Sequence, residues 1–310
     1  MKITFFRIFI LSSLCILSAC KKPVAKNLSP NNDSSTLIID TLEIRKENSQ
    51  ITAYRTFLNT LDSTKAESAL LALTEFKRMF NGKSVGLCDS AYVLFQEQID
   101  TIELKLNEKL QNDTVDYSFL FQSGRISPKL LKAKNELFKN GFEFKLFEGV
   151  VYIVQNRNFI IRNLRPMLSE SLQAYLLQIE RENNEGFMED ASIIISPLRH
   201  VDRILWYEKF IAENADFVYI KNCKEYKKAY LTYLLIGIDQ TYLFEDDKSM
   251  KLTPYFSEAY AYLLKTYPKS ETATLVLPYT QAIEHKQKMV VDELIKKYVI
   301  KGLIYSQKFE

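Results

Sequence analysis

Two carboxylates interrupt otherwise apolar helical stripes, and through them this chain could do acid and base chemistry. Glu182 continues the line of Tyr175 and Ile179, and Glu208 falls among Ile204, Leu205 and Ile211. Facing one core from adjacent helices, such a pair serves as general acid and general base when burial pulls the two pKa values apart. His200 and Arg203 stand close enough along the chain to supply a cation. The activity this would support is hydrolysis of glycans or peptides. The competing reading is a buried ion pair or helix ends reaching solvent, because no motif fixes the distance between the two carboxylates.

Other chemistries have less to work with. His200 and His285 lack the close spacing of zinc ligands. Asp239, Glu245, Asp246 and Asp247 form an oxygen-rich stretch without the alternation and turn glycine of a calcium loop, and read as a solvated turn. Gly-x-Ser-x-Gly is missing, no Cys stands near a His, and eight glycines in 310 residues leave no dinucleotide or phosphate loop. No metal or other cofactor is expected. Of the four cysteines, Cys88 and Cys223 lie in the body, where they form either one disulfide or two separately buried thiols.

The elements that must position these residues are mostly helices. Apolar residues make up 47% of the chain, with 18 Tyr and 20 Phe, which points to a folded, aromatic core. Thr64-Lys65-Ala66-Glu67 has the form of a capping box ahead of Ala66, Ala69, Leu70, Leu73, Phe76 and Phe80. A longer helix from Asp89 carries Ala91, Phe95, Ile99, Ile102, Leu106 and Leu110 inward and a charged face, Glu103 included, outward. Ser127-Pro128, Ser169 and Ser196-Pro197 are helix starts. Further helices are expected near 223–236, 254–266, 272–289 and 290–299, the third interrupted by Pro278. The strand signal is Phe142 to Leu146 and Val150 to Val154 around Glu148-Gly149, a β-hairpin near 142–154. The fold class is therefore mainly α, a helical bundle or irregular helical array with one hairpin. Phe210–Asp216 and Leu263–Ser270 can be superposed at an offset of 53 residues, which also brings Ala229 onto Ala282. Tyr267-Pro268-Lys269-Ser270 resembles the helix junction of tetratricopeptide-type envelope lipoproteins.

The amino terminus supplies an address. Lys2 and Arg7 precede an apolar run, Ile8 to Leu17, too short to span a bilayer. It closes on Leu17-Ser18-Ala19-Cys20, which resembles the lipobox of bacterial lipoproteins. The resemblance implies a diacylglycerol on the Cys20 sulfur, cleavage before Cys20 and an acylated new amino terminus, so the membrane is a partner through lipid. Lys21 is not the Asp that holds many lipoproteins at the inner membrane, which favours the outer membrane. Lipoproteins carried to the outer face in the Bacteroidetes often bear acidic residues after the cysteine, and Lys21-Lys22-Pro23 has none, which favours a periplasm-facing protein.

The expected organisation is residues 1–19 as signal, 20–44 as a flexible lipidated tether with Leu37-Ile38-Ile39 a short strand or the start of the body, 45–155 as a helical part ending in the hairpin, and 156–310 as a second helical part packed with it. Of 41 basic residues the signal holds two, leaving 39 against 38 acidic; that balance gives no global field to recruit nucleic acid. The expected role is a helical interaction or structural module for envelope proteins, with Tyr152, Trp206, Tyr207 and Tyr242 as contact anchors where they are exposed. The alternatives are the hydrolase and a solute-binding lipoprotein with a cleft around the hairpin.

Overall fold

The computed structural model describes residues 34–246 and 248–306, with side chains from residue 46 on. The expected signal, Cys20 and Asp247 lie outside the described residues. The chain divides into two units, Met1–Arg45 and Lys46–Glu310. In the first, residues 34–45 are helical, including Leu37 to Ile39 and the end of the expected tether. No Pro or Gly occurs from residue 31 to 81 to stop a helix there.

The body is mainly α. Helix α1 spans Ser34–Leu58, α2 Glu67–Phe80 and α3 Val85–Gln111. The expected inner residues of α2 and α3 are buried or half-buried, and Tyr54, Phe76, Phe80 and Phe95 meet ring to ring at 5.1–6.2 Å. The capping box at Thr64 does not form. Asp62 instead accepts from the Thr64 amide and hydroxyl, at 3.0 and 2.6 Å, and α2 starts from Ala66 without a side-chain cap. Helix α3 begins four residues before Asp89, capped by Ser84.

A 3-10 turn, Tyr117–Leu120, precedes α4, Pro128–Lys139, whose cap is Ser127 as expected. The hairpin follows as β1, Phe142–Phe147, and β2, Val150–Gln155, antiparallel with Phe147 opposite Val150. Glu148 and Gly149 both have positive φ, 48° and 76°, as a two-residue type I′ loop requires. One hairpin face packs on α3, where Asn107 donates to the Ile153 carbonyl and accepts its amide at 2.7 and 2.9 Å.

Helix α5, Arg157–Leu164, leads to α6, Glu170–Glu185. A second small hairpin, β3 (Met188–Glu189) with β4 (Ser192–Ile193), turns the chain into α7, Pro197–Glu213. Sequence periodicity misses this hairpin because its strands are too short to alternate. Helices α8, Ile220–Ile236, α9, Pro254–Thr266, α10, Glu271–Glu284, and α11, Lys288–Ile300, complete the array. Helix α10 runs through Pro278 without ending and stops at Glu284, earlier than expected. The offset of 53 aligns the ends of α7 and α9 at Glu213 and Thr266. The tail docks as irregular chain, with Ile304 buried and the Tyr305 amide donating to Thr232 Oγ1 at 3.0 Å. One apolar cluster runs through all of this, from Tyr54 to Ile304.

Candidate functional site

Glu182 sits at the end of the buried stripe of α6, where Ser169 and the apolar spacing place it, and is 6% exposed. Its Oε1 accepts from Gln178 Nε2 at 2.6 Å, and its Oε2 accepts from the hydroxyls of Tyr230 at 2.8 Å and Tyr207 at 3.1 Å. Burial raises its pKa above the ordinary carboxylate value, and the Tyr230 and Gln178 donors and the Arg203 cation offset this only in part. Tyr207, a contact anchor only if exposed, is wholly buried. Its phenol has to face inward to satisfy the carboxylate.

Arg203, 1% exposed, bridges this group to the end of α6. Its Nη1 donates to the Tyr230 hydroxyl at 3.2 Å, and its Nη2 donates to Glu185 at 2.9 Å and the Gly186 carbonyl at 2.6 Å. Glu185 also accepts from Arg199 at 2.8 Å. Glu185 is thus shared by two guanidiniums, while Glu182 is met by neutral donors and is linked to Arg203 through the Tyr230 hydroxyl. Burial pushes Glu185 up, but the two arginines together hold it below its usual value. His200, fully buried, supplies no cation: desolvation drives its pKa down to about 4. Its partners fix the neutral Nε2–H tautomer, which donates to the Tyr230 carbonyl at 2.9 Å and accepts from the Tyr255 hydroxyl at Nδ1, 3.2 Å away.

Glu208 has a different task. One oxygen accepts from the Glu271 amide at 2.7 Å, and the other accepts from the Thr272 amide and hydroxyl at 2.9 and 2.6 Å. It caps α10 from α7. Glu182 and Glu208 share no hydrogen-bond partner, and each already has both oxygens engaged by protein donors. Tyr207 and Glu208 are consecutive on α7, so the two side chains leave the helix in different directions.

Cys88 and Cys223 are free and buried, so the disulfide alternative gives way to two separate thiols. The Cys88 thiol points at the Phe80 carbonyl, 3.5 Å away, and burial lifts Cys223 to about 12. Asp246 accepts from the amides of Lys248 and Ser249 and pins its own turn, while Glu245 pairs with Lys251 at 2.7 Å. Among the described residues no group of His, Cys, Asp and Glu is arranged to hold a metal ion. His285 ends α10. Trp206 is half-buried and stacked on Phe210 at 4.8 Å, Tyr152 is half-buried, and Tyr242 is 63% exposed.

A polar cleft lies elsewhere, beside the first hairpin. A cleft of about 260 Å³ is lined by Glu103 of α3, Glu143, Lys145, Val154 and Gln155 of the hairpin, Asn156, Arg157 and Asn158 at the start of α5, and Glu180, Asn183 and Asn184 near the end of α6. Its floor is fixed from within. Gln155 Nε2 donates to Asp100 at 2.7 Å and its Oε1 accepts from Gln96 at 2.8 Å, while Arg157 donates to Gln96 Oε1 at 3.1 Å. Asn156 caps α5 through the Phe159 amide at 3.0 Å and donates its own amide to the Gly141 carbonyl at 2.8 Å. Gly141, at φ +88°, is needed there, since a Cβ would stand 2.7 Å from the Phe159 ring. Glu103, expected on a solvated face, is half-buried, and burial raises its pKa against the opposing pull of Arg157. The lining mixes carboxylates, amides and two cations, a composition that can hold a polar chain by hydrogen bonds. Only its hairpin wall was legible in sequence, because the other walls come from three helices that periodicity cannot bring together. Comparison with protein-family models, curated proteins and solved structures finds no match for the chain.

Proposed function

We propose that this chain is a lipid-anchored protein of the cell envelope, attached through Cys20 at the outer membrane and facing the periplasm, whose helical body acts by binding other envelope proteins. The anchor rests on Leu17-Ser18-Ala19-Cys20. No helix among the described residues is long and apolar enough to cross a membrane, so attachment by lipid is consistent with the fold. The binding role rests on the polar cleft beside the hairpin, with three carboxylates, Lys145, Arg157 and several amides around open space. A polar polypeptide segment, with one donor and one acceptor per residue, suits such a lining. The hydrolase reading is weakly served, because Glu182 and Glu208 are bound to separate protein donors.

Crosslinking in intact cells followed by mild solubilisation tests the binding role. The wild-type chain should recover a partner that the Arg157→Ala, Glu180→Ala double variant loses. Recovery of no partner by either chain would count heavily against it, and a small solute captured without protein would favour the solute-binding alternative. The anchor has its own test. Replacing Cys20 by Ser should release soluble or unprocessed protein, and unchanged processing and retention would sink the lipid assignment.

A further inference from the structure

Helix α4 is held to the body by a narrow stripe in which Leu130 and Leu137 are buried. Its outer side leaves Leu131 46% and Phe138 53% exposed. At the tip of the neighbouring hairpin Phe147 and Val150 are 50% and 49% exposed, and Phe119 in the preceding 3-10 turn is 52% exposed. These elements form one sub-assembly, since α4 packs on β1 and on the 3-10 turn, which also meets β2. Large apolar side chains gathered on one exposed part of a protein mark an interaction surface.

The charge beside them indicates what covers it. Helix α4 carries Lys129, Lys132, Lys134 and Lys139 against one acid of its own, Glu136, which lies 4.0 Å from Lys132, while Asp113 lies within the field of Lys129 and Glu148 stands exposed at the hairpin tip, leaving the lysines in excess. All four of the basic residues of α4 are Lys and none is Arg. Protein interfaces are enriched in aromatic residues, Phe among them, and in Arg, and are depleted in Lys. Exposed Phe and Leu flanked by Lys is instead the composition of a helix lying in a headgroup layer, where rings enter the acyl boundary and lysine stems reach back to phosphates.

We propose that α4 and the tip of the β1–β2 hairpin form a docking face for a bilayer containing anionic phospholipid. The surface does not require lipid on Cys20, although an anchored chain would be held near it.

Two arms keep surface and anchor apart. In the first, the full-length chain is reconstituted into vesicles of phosphatidylcholine alone or with phosphatidylglycerol, and amide exchange is followed at residues 128–150. Exchange should slow in the anionic vesicles only. In the second, the Cys20→Ser chain is compared with the same chain carrying Leu131→Glu, Phe138→Glu and Phe147→Glu, so that whatever remains of the leader is common to both. Co-sedimentation with anionic vesicles should fall by about tenfold or more. Lys129, Lys132, Lys134 and Lys139 changed together to Gln should do the same, and these exposed sites leave the fold intact, as thermal melting would check. Anionic binding by the Cys20→Ser chain with no lipid found on the wild type would support the surface and remove the anchor. Equal sedimentation of wild-type and substituted chains, equal exchange in both vesicles, or protection that needs added envelope protein would overturn the proposal.

Discussion

Glu182 is held by three donors of its own protein, and that arrangement explains why a carboxylate persists on a buried stripe. Glu182→Gln would set its amide against donors on one side or the other, the Tyr207 and Tyr230 hydroxyls or the Gln178 amide, and force one of these groups to re-pair. The expected loss is about 1–3 kcal/mol in urea unfolding, with Tyr230→Phe close behind because its hydroxyl also accepts from Arg203. A variant as stable as wild type would show that the network is slack. The sequence marked Glu182 as out of place on its stripe. It did not mark Tyr230 or Gln178, because tyrosine and glutamine on a helix carry no sign of their partner. The same holds for the thiols, where Cys88 and Cys223 count as an even pair although the fold buries them apart. Maleimide labelling should be slow for both in the native protein and complete after unfolding without reductant. An unfolded chain that labels only after reduction would restore the disulfide.

Caps decide how well the elements can be read. Ser127, Ser169 and Ser196 each accept from an amide three residues on, so a local pattern and a local bond coincide. Thr64 failed as a cap because Asp62, two residues earlier, is the stronger acceptor for its amide and hydroxyl. Helix α10 has both kinds of cap. Ser270 binds the Ala273 amide at 3.0 Å, and Glu208 arrives from α7 to take the amides of Glu271 and Thr272. The second could not be seen in sequence, since a cap supplied by another helix has no spacing rule. It joins the α7–α8 pair to the α9–α10 pair. Glu208→Ala should cost about 1–2 kcal/mol and raise amide exchange at the start of α10 more than elsewhere. Uniform exchange along α10 would refute that role.

At the scale of the whole molecule, balance of charge and richness in helix were legible because they are sums over many residues. The cleft and the buried network were not, because each depends on which helices meet. The pH dependence of stability is a sum as well, and its sign follows from the buried groups. His200 titrates at about 4 in the folded chain against 6.5 as a free side chain, because burial and then the Arg203 cation oppose its protonation. Between those values the unfolded chain binds the extra proton, so stability is lost as pH falls from 6.5 toward 4, by at most about 3 kcal/mol. Glu182 and Glu103 act the other way, since their folded pKa values are raised and the folded chain keeps those protons longer as pH rises above 4.5. His200→Gln separates the two contributions. A glutamine amide can donate to the Tyr230 carbonyl and accept from the Tyr255 hydroxyl while having no proton to gain. Urea unfolding measured from pH 4.5 to 7.5 should therefore show the acid-side slope flattened in the variant, whatever its stability at neutral pH, and an unchanged slope would place the acid sensitivity elsewhere.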